Sequence, residues 1–259
     1  MKYLLAKLLR MFRKNDNINY NNNNNTVKAI PDKRDLKLSL NEDIELPETL
    51  VLEVPPIRQQ GHIGSCASHA AVRAMEIMSL KRKRYIEGSE LYHYYNARKY
   101  VRKSYPKDSG MSIRDACKTT HKYGMAPEST WPYITRKFNV EPGKAAYWMS
   151  SLYQIRRYEQ VLGFNAIKQS IVEGTPVIFG IYLDKDFYRL NYNNFIWKPY
   201  KRETKYGGHA QVIVGYKDDM VIVENSWGTR WGNNGRYMIR YEDLKKVGFD
   251  YYRMIYKEW

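Results

Sequence analysis

Residues 60–71 read QGHIGSCASHAA. The stretch begins as a loop, because Gly61 and Gly64 interrupt regular structure, and its pattern becomes helical from Cys66 onward. Small and apolar residues then share one face as far as Leu80, which predicts a helix packed into a core. Cys66 therefore stands in the first turn of this helix, where unpaired N–H groups and a partial positive charge stabilise a thiolate. Because the thiolate is the nucleophilic form of cysteine, Cys66 is predicted to be reactive.

Cys117 is the second of the two cysteines in the chain. It lies inside a predicted helix over 112–123, on one face with Ile113 and Ala116, which is typical of a buried structural residue. Two cysteines cannot form a disulfide framework, so the chain suits a reducing compartment. No pair of cysteines or histidines has metal-ligand spacing, and we expect neither a metal nor a cofactor.

His209 is the candidate for a general base among the five histidines. Two glycines precede it, which allows the backbone to approach other groups closely, and a strand follows it. The strands predicted over 210–216 and 220–225 form a hairpin that brings Asn225 within about two residues of the position opposite His209. An asparagine there fixes the tautomer of the imidazole and aims the other ring nitrogen outward.

Acyl transfer also needs hydrogen-bond donors where negative charge develops. The Cys66 backbone N–H at the start of the helix is one candidate, and the side-chain amide of Gln60 on the preceding loop is another. Gln60 taken alone would be an ordinary loop amide. His69 lies on the same helix as Cys66, and its side chain is expected to point away from the nucleophile as a surface or packing residue. Cysteine, histidine and asparagine form a known variant of the nucleophile, base and orienting residue.

The composition fits a soluble globular protein of 259 residues, with a mean hydropathy of −0.67 and a formal net charge of +16. A charge of this size favours anionic partners. The run KRKR at 81–84 ends the predicted helix, where cations face the helix C-terminus. Contact with nucleic acid or an anionic surface stays open, although no nucleic-acid-binding motif supports it. No stretch approaches the roughly 18 apolar residues of a membrane span.

Residues 1–45 form a predicted N-terminal extension. Within it, 1–12 have the pattern of an amphipathic helix, and 15–25 are an Asn-rich run that cannot build a core. Lys7 and Arg10 interrupt the apolar run at the start, so secretion is not expected. The remaining residues of the extension are charged and are expected to be extended.

The rest of the chain divides into a helical half, 46–155, and a β-rich half, 156–259. Helices are predicted over 66–80, 89–102, 112–123 and 164–173, and strands over 177–183, 210–216, 220–225, 236–241 and 251–256. The fold class is therefore α+β, with the active-site cleft expected between the two halves.

Three segments of the chain are similar to one family. QGHIGSCASHAA (60–71) resembles the cysteine segment of papain-like cysteine proteases, and GGHAQVIVGY (207–216) resembles their histidine segment. VENSWGTRWGNNGRYMI (223–239) resembles their asparagine segment. The three segments occur in the order that the family has, and the resemblance covers about 46–259.

The resemblance implies a two-domain fold, with a helical left domain, an antiparallel β-barrel-like right domain and a cleft between them. It implies that the nucleophile, the base, the orienting residue and the oxyanion-hole amide are Cys66, His209, Asn225 and Gln60. Trp227 would shield the hydrogen bond between the base and the orienting residue from water. The residues implied to contact substrate are Gly64, Ser65, Gly110, Met111, Gly208 and Trp227.

The chain departs from the family pattern at three positions. Ala67 replaces the usual aromatic residue after the nucleophile, and a single Gly110 stands where the family has a glycine pair. Ile63 replaces a disulfide cysteine, which suits a reducing intracellular compartment or a virion. The chain resembles the compact members found in bacteria and large DNA viruses.

The implied activity is that of a cysteine endopeptidase, which hydrolyses protein or peptide substrates through an acyl-enzyme thioester. Residues 1–45 are expected to include a short inhibitory propeptide lying in the cleft. An exopeptidase, a peptide ligase or an amide transferase could use the same residues on the same fold. A catalytically silent binding or virion-associated protein is the alternative from another class.

Overall fold

The computed structural model describes residues 26–199 and 207–257, so the predicted N-terminal helix and Asn-rich linker lie outside the described residues. The helices are α1 (Cys66–Lys81), α2 (Glu90–Asn96), α3 (Ile113–Tyr123), α4 (Lys144–Ser150), α5 (Phe164–Val172) and α6 (Tyr241–Val247). The strands are β1 (Thr49–Val51), β2 (Ile155–Gln160), β3 (Val177–Tyr182), β4 (Gly208–Lys217), β5 (Met220–Glu224), β6 (Arg236–Arg240) and β7 (Gly248–Tyr256). The described chain is therefore mixed α+β, as the sequence predicts.

The longer elements confirm the sequence patterns. The predicted helices at 66–80, 112–123 and 164–173 correspond to α1, α3 and α5, and the five predicted strands correspond to β3 through β7. The helix predicted over 89–102 is α2 followed by a π-helical turn, Ala97–Val101. The short elements α4, α6, β1 and β2 were not predicted, since a run of three to seven residues carries little periodicity.

Helix α1 lies against the sheet and against α2 and α3. Its inner face is built largely from alanines, of which Ala67, Ala70 and Ala71 are at most 2% exposed. Alanine has the highest helix propensity, and its small side chain allows strand β4 to approach the helix axis closely. The first residue of α1 is Cys66, so the helix start is positioned directly on the sheet.

The strands form one antiparallel sheet in the order β2-β7-β3-β4-β5-β6, with β1 paired to β4. The right domain was expected to resemble an antiparallel β-barrel, and its antiparallel sheet is not closed, because β2 and β6 lie at opposite ends. Along β4, Val212 and Val214 join a core that includes α1, whereas Ile213 joins a second core that includes α5. Both faces of the sheet are thus already buried, so closure is not needed to remove a face from water.

The two predicted halves share this sheet. Strand β1 comes from the helical half of the sequence but pairs with β4 of the β-rich half. The core beneath α1 likewise combines residues of α1 with Ile178 and Met254 from the strands. The domain boundary near residue 155 stays a prediction.

Residues 35–38 of the N-terminal extension are docked on the edge of the sheet. The backbone N–H of Leu38 donates to the Gln160 carbonyl at 2.8 Å, and the Gln160 N–H donates to the Leu36 carbonyl at 2.7 Å. The Asp35 carboxylate accepts hydrogen bonds from Arg114 and from the Tyr252 hydroxyl. This part of the extension is therefore bound to β2, β7 and α3.

Candidate active site

His209 and Asn225 meet at the end of the β4–β5 hairpin. His209 is the second residue of β4, and Asn225 directly follows β5. The His209 Nε2 and Asn225 Oδ1 atoms are 2.7 Å apart, and the Ser226 N–H donates to the same Oδ1 at 2.8 Å. Because an amide oxygen only accepts hydrogen bonds, Nε2 carries the proton of the neutral ring and Nδ1 is left with a lone pair.

The register of the hairpin explains this contact. Val212 on β4 pairs with Glu224, the last residue of β5. Asn225 is the next residue after Glu224, and its side chain reaches along β4 to His209. The Trp227 ring lies over the histidine, with ring centroids 4.9 Å apart and an interplanar angle of 31°. Trp227 is 7% exposed, and its ring therefore covers part of the imidazole with apolar surface.

Cys66 is fully buried at the first residue of α1. Its Sγ lies 3.0 Å from the Thr26 hydroxyl, and the Ala210 backbone N–H also interacts with it. Ala210 directly follows His209, so the thiol lies beside the strand that carries the candidate base. The described residues offer no hydrogen-bond partner to His209 Nδ1, which is also buried.

Burial controls the charge of both groups. It raises the pKa of the Cys66 thiol, although hydrogen bonds from Thr26, Ala210 and the helix start act in the opposite direction. Burial also lowers the pKa of His209 to about 4, against the hydrogen bond with Asn225, which raises it. The donors at the helix start lower the pKa of the thiol, as expected, but the effect of burial is larger and acts in the opposite direction.

Gln60 lies on a loop that is fixed from several sides. Its Nε2 donates to the Ile63 carbonyl at 3.2 Å, and its Oε1 accepts from the Ser226 hydroxyl at 2.6 Å. The Tyr133 hydroxyl bridges the Gln60 carbonyl at 2.8 Å and the Ser65 hydroxyl at 2.7 Å. The amide group has a second N–H beyond the one used by Ile63, and Tyr133 ties the loop to the residue before Cys66.

Asp108 and Tyr94, which the sequence did not mark as functional, connect two of the residues implied to contact substrate, Gly64 and Gly110. The Asp108 carboxylate accepts from the Gly64 N–H at 2.9 Å and from the Tyr94 hydroxyl. The Gly110 N–H in turn donates to the Tyr94 hydroxyl at 3.4 Å. Gly64 and Gly110 are thereby joined into one loop network near Cys66, and no local sequence signal marks this role for Asp108.

Met111 and Ser65 were implied to contact substrate, but both side chains are fully buried. Met111 is fully buried in the core beneath α1, and Ser65 is fully buried next to Tyr133. His69 is 4% exposed and packs edge-on against Tyr133, with ring centroids 4.9 Å apart, which confirms it as a packing residue.

A buried ion pair joins α1 to the end of β5. Arg73 Nε lies 2.5 Å from Glu224 Oε1, and the other Glu224 oxygen accepts from Arg236 at 3.1 Å. Glu224 directly precedes Asn225, so the helix that begins with Cys66 is anchored beside Asn225. Sequence patterns do not reveal this pair, since its members are 151 positions apart.

Thr26 contacts both Cys66 and Gly208. Its backbone N–H donates to the Gly208 carbonyl at 2.9 Å, while its hydroxyl contacts Cys66, and it is only 3% exposed. A Cβ at Gly208 would come within 2.1 Å of the Thr26 carbonyl oxygen. Gly208 is therefore required for the close approach of the N-terminal segment.

A family model described as papain family cysteine protease matches residues 42–255. The chain belongs to the papain family. The match includes all four predicted catalytic positions and the sheet that positions His209 and Asn225.

Several papain-family relatives are similar to the chain. A peptidase C1-like protein of Acanthamoeba polyphaga mimivirus is 28% identical over 251 residues, which cover 83% of this chain and 80% of that protein. Papain of Carica papaya is 27% identical over 206 residues, covering 76% of this chain. The match spans 56% of that papain sequence, so the chain spans little more than half the length of this relative.

Solved papain-family structures show the same fold. Xylellain, a cysteine protease from Xylella fastidiosa, superposes with a TM-score of 0.82 at 28% identity, covering 90% of this chain and 96% of that one. A Carica candamarcensis cysteine protease in complex with E-64 has a TM-score of 0.66 at 23% identity and covers 82% of this chain and all of its own.

Over 26–199 and 207–257, no helix is both long and apolar enough to cross a bilayer. In the same residues, no group of three or more Cys, His, Asp or Glu side chains could hold a metal ion.

Proposed function

We propose that the protein is a cysteine endopeptidase that uses Cys66 as nucleophile, His209 as base and Asn225 as orienting residue. The observation that carries the proposal is the 2.7 Å contact between His209 Nε2 and Asn225 Oδ1, which leaves Nδ1 as a proton acceptor. The Cys66 thiol supports it, since Sγ interacts with the N–H of the residue that follows His209.

In the proposed first step, the thiol proton of Cys66 passes to His209 Nδ1, and Sγ attacks the carbonyl carbon of the peptide bond. The resulting oxyanion accepts hydrogen bonds from the Cys66 backbone N–H and the second side-chain N–H of Gln60. The C–N bond then breaks, and the imidazolium returns its proton to the leaving amine. A thioester on Cys66 and a new free amino terminus are formed.

In the second step, His209 Nδ1 takes a proton from water while the water oxygen attacks the thioester carbonyl. The C–S bond breaks, the carboxylic acid leaves, and the thiol regains its proton. Throughout both steps the Asn225 oxygen keeps the ring oriented, and Trp227 keeps water away from that hydrogen bond.

We further propose that residues 26–30 act as an inhibitory segment over the cleft. The Thr26 N–H donates to the Gly208 carbonyl, and the Thr26 hydroxyl contacts the Cys66 sulfur. A peptide substrate would have to bind to these same groups. The same cover keeps the thiol buried, and burial raises its pKa. Displacing the segment would admit water and substrate together, which favours the ionised nucleophile.

Labelling with E-64 followed by mass spectrometry of a digest tests the catalytic proposal. We expect one adduct, on Cys66, together with loss of peptide cleavage. Peptides blocked at both ends should still be cleaved by an endopeptidase, whereas cleavage restricted to peptides with a free end would indicate an exopeptidase. An unlabelled Cys66 in folded protein, with no cleavage of any peptide, would support the catalytically silent alternative.

N-terminal sequencing tests the inhibitory segment separately. We expect the fully active protein to have lost the chain through Thr26 or beyond. Full activity with residues 26–30 intact and still protecting Cys66 would contradict this part of the proposal and leave the catalytic part standing.

A further inference from the structure

Asp250 lies on a bulge in strand β7. In the pairing of β3 with β7, Gly180 is opposite Phe249 and Ile178 is opposite Tyr252, so two residues of β7 lie opposite one residue of β3. Asp250 is one of these two, and its φ of 54° is in the left-handed region. Aspartate adopts this conformation more readily than most residues, and a bulge redirects a side chain out of the regular alternation.

The bulge lies close to the candidate base. Through β3, His209 is opposite Ile181, and Ile181 is opposite Gly248 of β7. Two inter-strand spacings separate His209 from Gly248, which is roughly 10 Å. Asp250 is two residues further along β7, so a peptide that reaches the catalytic residues can also reach this carboxylate.

The N-terminal segment makes this connection in the structure. Thr26 contacts the Cys66 sulfur at 3.0 Å, and three residues later the Ala29 backbone N–H donates to Asp250 Oδ2 at 2.5 Å. Three extended residues span at most about 10 Å. Asp250 is therefore a hydrogen-bond acceptor at the same face of the molecule that the segment covers.

The charges around Asp250 show what it loses when the segment leaves. Burial raises the pKa of this carboxyl group, and the Ala29 N–H, Lys28 and Arg114 oppose that rise. Two of these three groups belong to the segment itself. The third, Arg114, is already held by Asp35 and the Ile30 carbonyl.

We propose that Asp250 binds the basic side chain of a lysine or arginine in a peptide substrate, in the space that residues 26–30 occupy here. The inference rests on the proposed endopeptidase function. A half-buried carboxylate that loses its N–H donor and a neighbouring cation is stabilised by a new charged donor, and guanidinium and ammonium groups form the strongest such hydrogen bonds. A substrate with an apolar side chain at this position leaves the carboxylate without a partner.

A comparison of matched blocked peptides on full-length proteins tests this inference. Acetylated fluorogenic peptides carry lysine, arginine or norleucine in turn at each position before the cleaved bond. The wild type is expected to favour lysine or arginine over norleucine by about 10-fold in kcat/KM at one position, and Asp250→Asn should reduce that ratio to about 1. Each ratio compares two peptides on one protein, so a weaker hold on the inhibitory segment cancels.

Asp219→Asn is the matched control, since it removes the same charge at the exposed β4–β5 turn. It should keep the wild-type ratio. The reversal Asp250→Lys should move the preference to glutamate at the same position.

Several results would overturn the inference. These are an unchanged ratio in Asp250→Asn, an equal fall in the ratio in Asp219→Asn, or a preference that appears only for peptides with a free amino terminus. A uniform loss of activity on all peptides in Asp250→Asn would assign the residue a structural role instead. Failure of the wild type to cleave any peptide or react with E-64 would refute the proposed function itself.

Discussion

The two cysteines of this chain have similar surroundings by most measures and different proposed roles. Cys66 and Cys117 are both fully buried, both lie on helices, and burial raises the pKa of both thiols. Cys117 stands in the middle of α3 and packs in the core beneath α1. Cys66 stands at the first residue of its helix and is covered by Thr26, which belongs to a separate segment.

The comparison shows that burial by itself does not separate a structural thiol from a nucleophile. Both thiols belong to the core beneath α1, and Cys117 stands in the middle of α3. What differs is that the Cys66 thiol is also contacted by Thr26, which belongs to the N-terminal segment. Thr26 is held there through a few hydrogen bonds, each contributing about 1 kcal/mol.

The two cysteines should differ most when each is replaced by alanine. Cys66→Ala should lower kcat for peptide cleavage at least about 10⁴-fold, because it removes the nucleophile. Cys117→Ala should keep kcat within about 2-fold and lower the free energy of unfolding by about 1–2 kcal/mol, because it leaves a small cavity. Steady-state kinetics and urea titration measure the two effects. Comparable losses of kcat in both variants would refute the distinction.

Detaching α1 from the end of β5 should have the next largest effect. Glu224→Gln removes the partner of the buried Arg73 and should lower the free energy of unfolding by about 3 kcal/mol. The control Glu242→Gln breaks the surface ion pair between Glu242 and Lys245, in which the Glu242 side chain is 74% exposed. This variant should lower the free energy of unfolding by less than about 1 kcal/mol. Urea titration of both variants measures this, and a cost for Glu224→Gln no larger than that of the control would contradict the anchoring role.

His93 links the regions of the two cysteines. Its Nδ1 lies 2.9 Å from the Ser68 hydroxyl on α1, and its Nε2 lies 3.2 Å from the Ala116 carbonyl on α3. Burial lowers its pKa from 6.5 to about 4. Between pH 6.5 and about pH 4, His93 is therefore protonated in the unfolded chain and neutral in the folded chain. The free energy of unfolding consequently decreases as the pH falls below 6.5.

His93→Gln removes that loss. The stability advantage of the wild type over His93→Gln should shrink by about 2 kcal/mol between pH 7.5 and pH 4.5, from about 1.36 kcal/mol per pKa unit. Other buried groups, such as Glu90, whose pKa is raised to about 7 by burial, are present in both proteins and cancel. Denaturation at the two pH values measures this, with the exposed His121→Gln as control. A gap that is constant with pH would show that His93 does not titrate in this way.

Loosening the cover over Cys66 should have the smallest effect. Thr26→Val keeps the size of the side chain and removes the hydroxyl that contacts Sγ, so the segment should open about 5-fold more often. The rate of E-64 labelling at Cys66 should rise by that factor while Cys117 stays unlabelled. The exposed Thr49→Val should leave the rate unchanged. A slower reaction in Thr26→Val would mean that the hydroxyl assists the nucleophile rather than blocking it.

Signals within a few residues were sufficient to predict much of the site. The glycines before Cys66, the helical pattern after it, and the hairpin that brings His209 to Asn225 are all local features, and the structure shows each of them. The long periodic elements were found for the same reason. The unpredicted short elements and the open sheet depend on what packs against them.

Pairings between distant parts of the chain could not be predicted in this way. Thr26 on Cys66, Arg73 on Glu224 and Ala29 on Asp250 join residues at least 40 positions apart. Each involves a common residue type whose sequence neighbours would suit an ordinary loop, helix or strand. The raised pKa of the Cys66 thiol also depends on tertiary structure, since the helix start favours the thiolate but burial in the folded chain opposes it.

The sequence by itself determined which chemical groups this protein has and on which local elements they lie. Periodicity, glycine placement and hairpin length are properties of neighbouring residues, and those properties are already present in the unfolded chain. The tertiary structure alone decided which of two buried thiols is contacted by the N-terminal segment, and where a bulge places Asp250. Both depend on contacts between segments far apart in sequence, and the energies of such contacts exist only once the chain has folded.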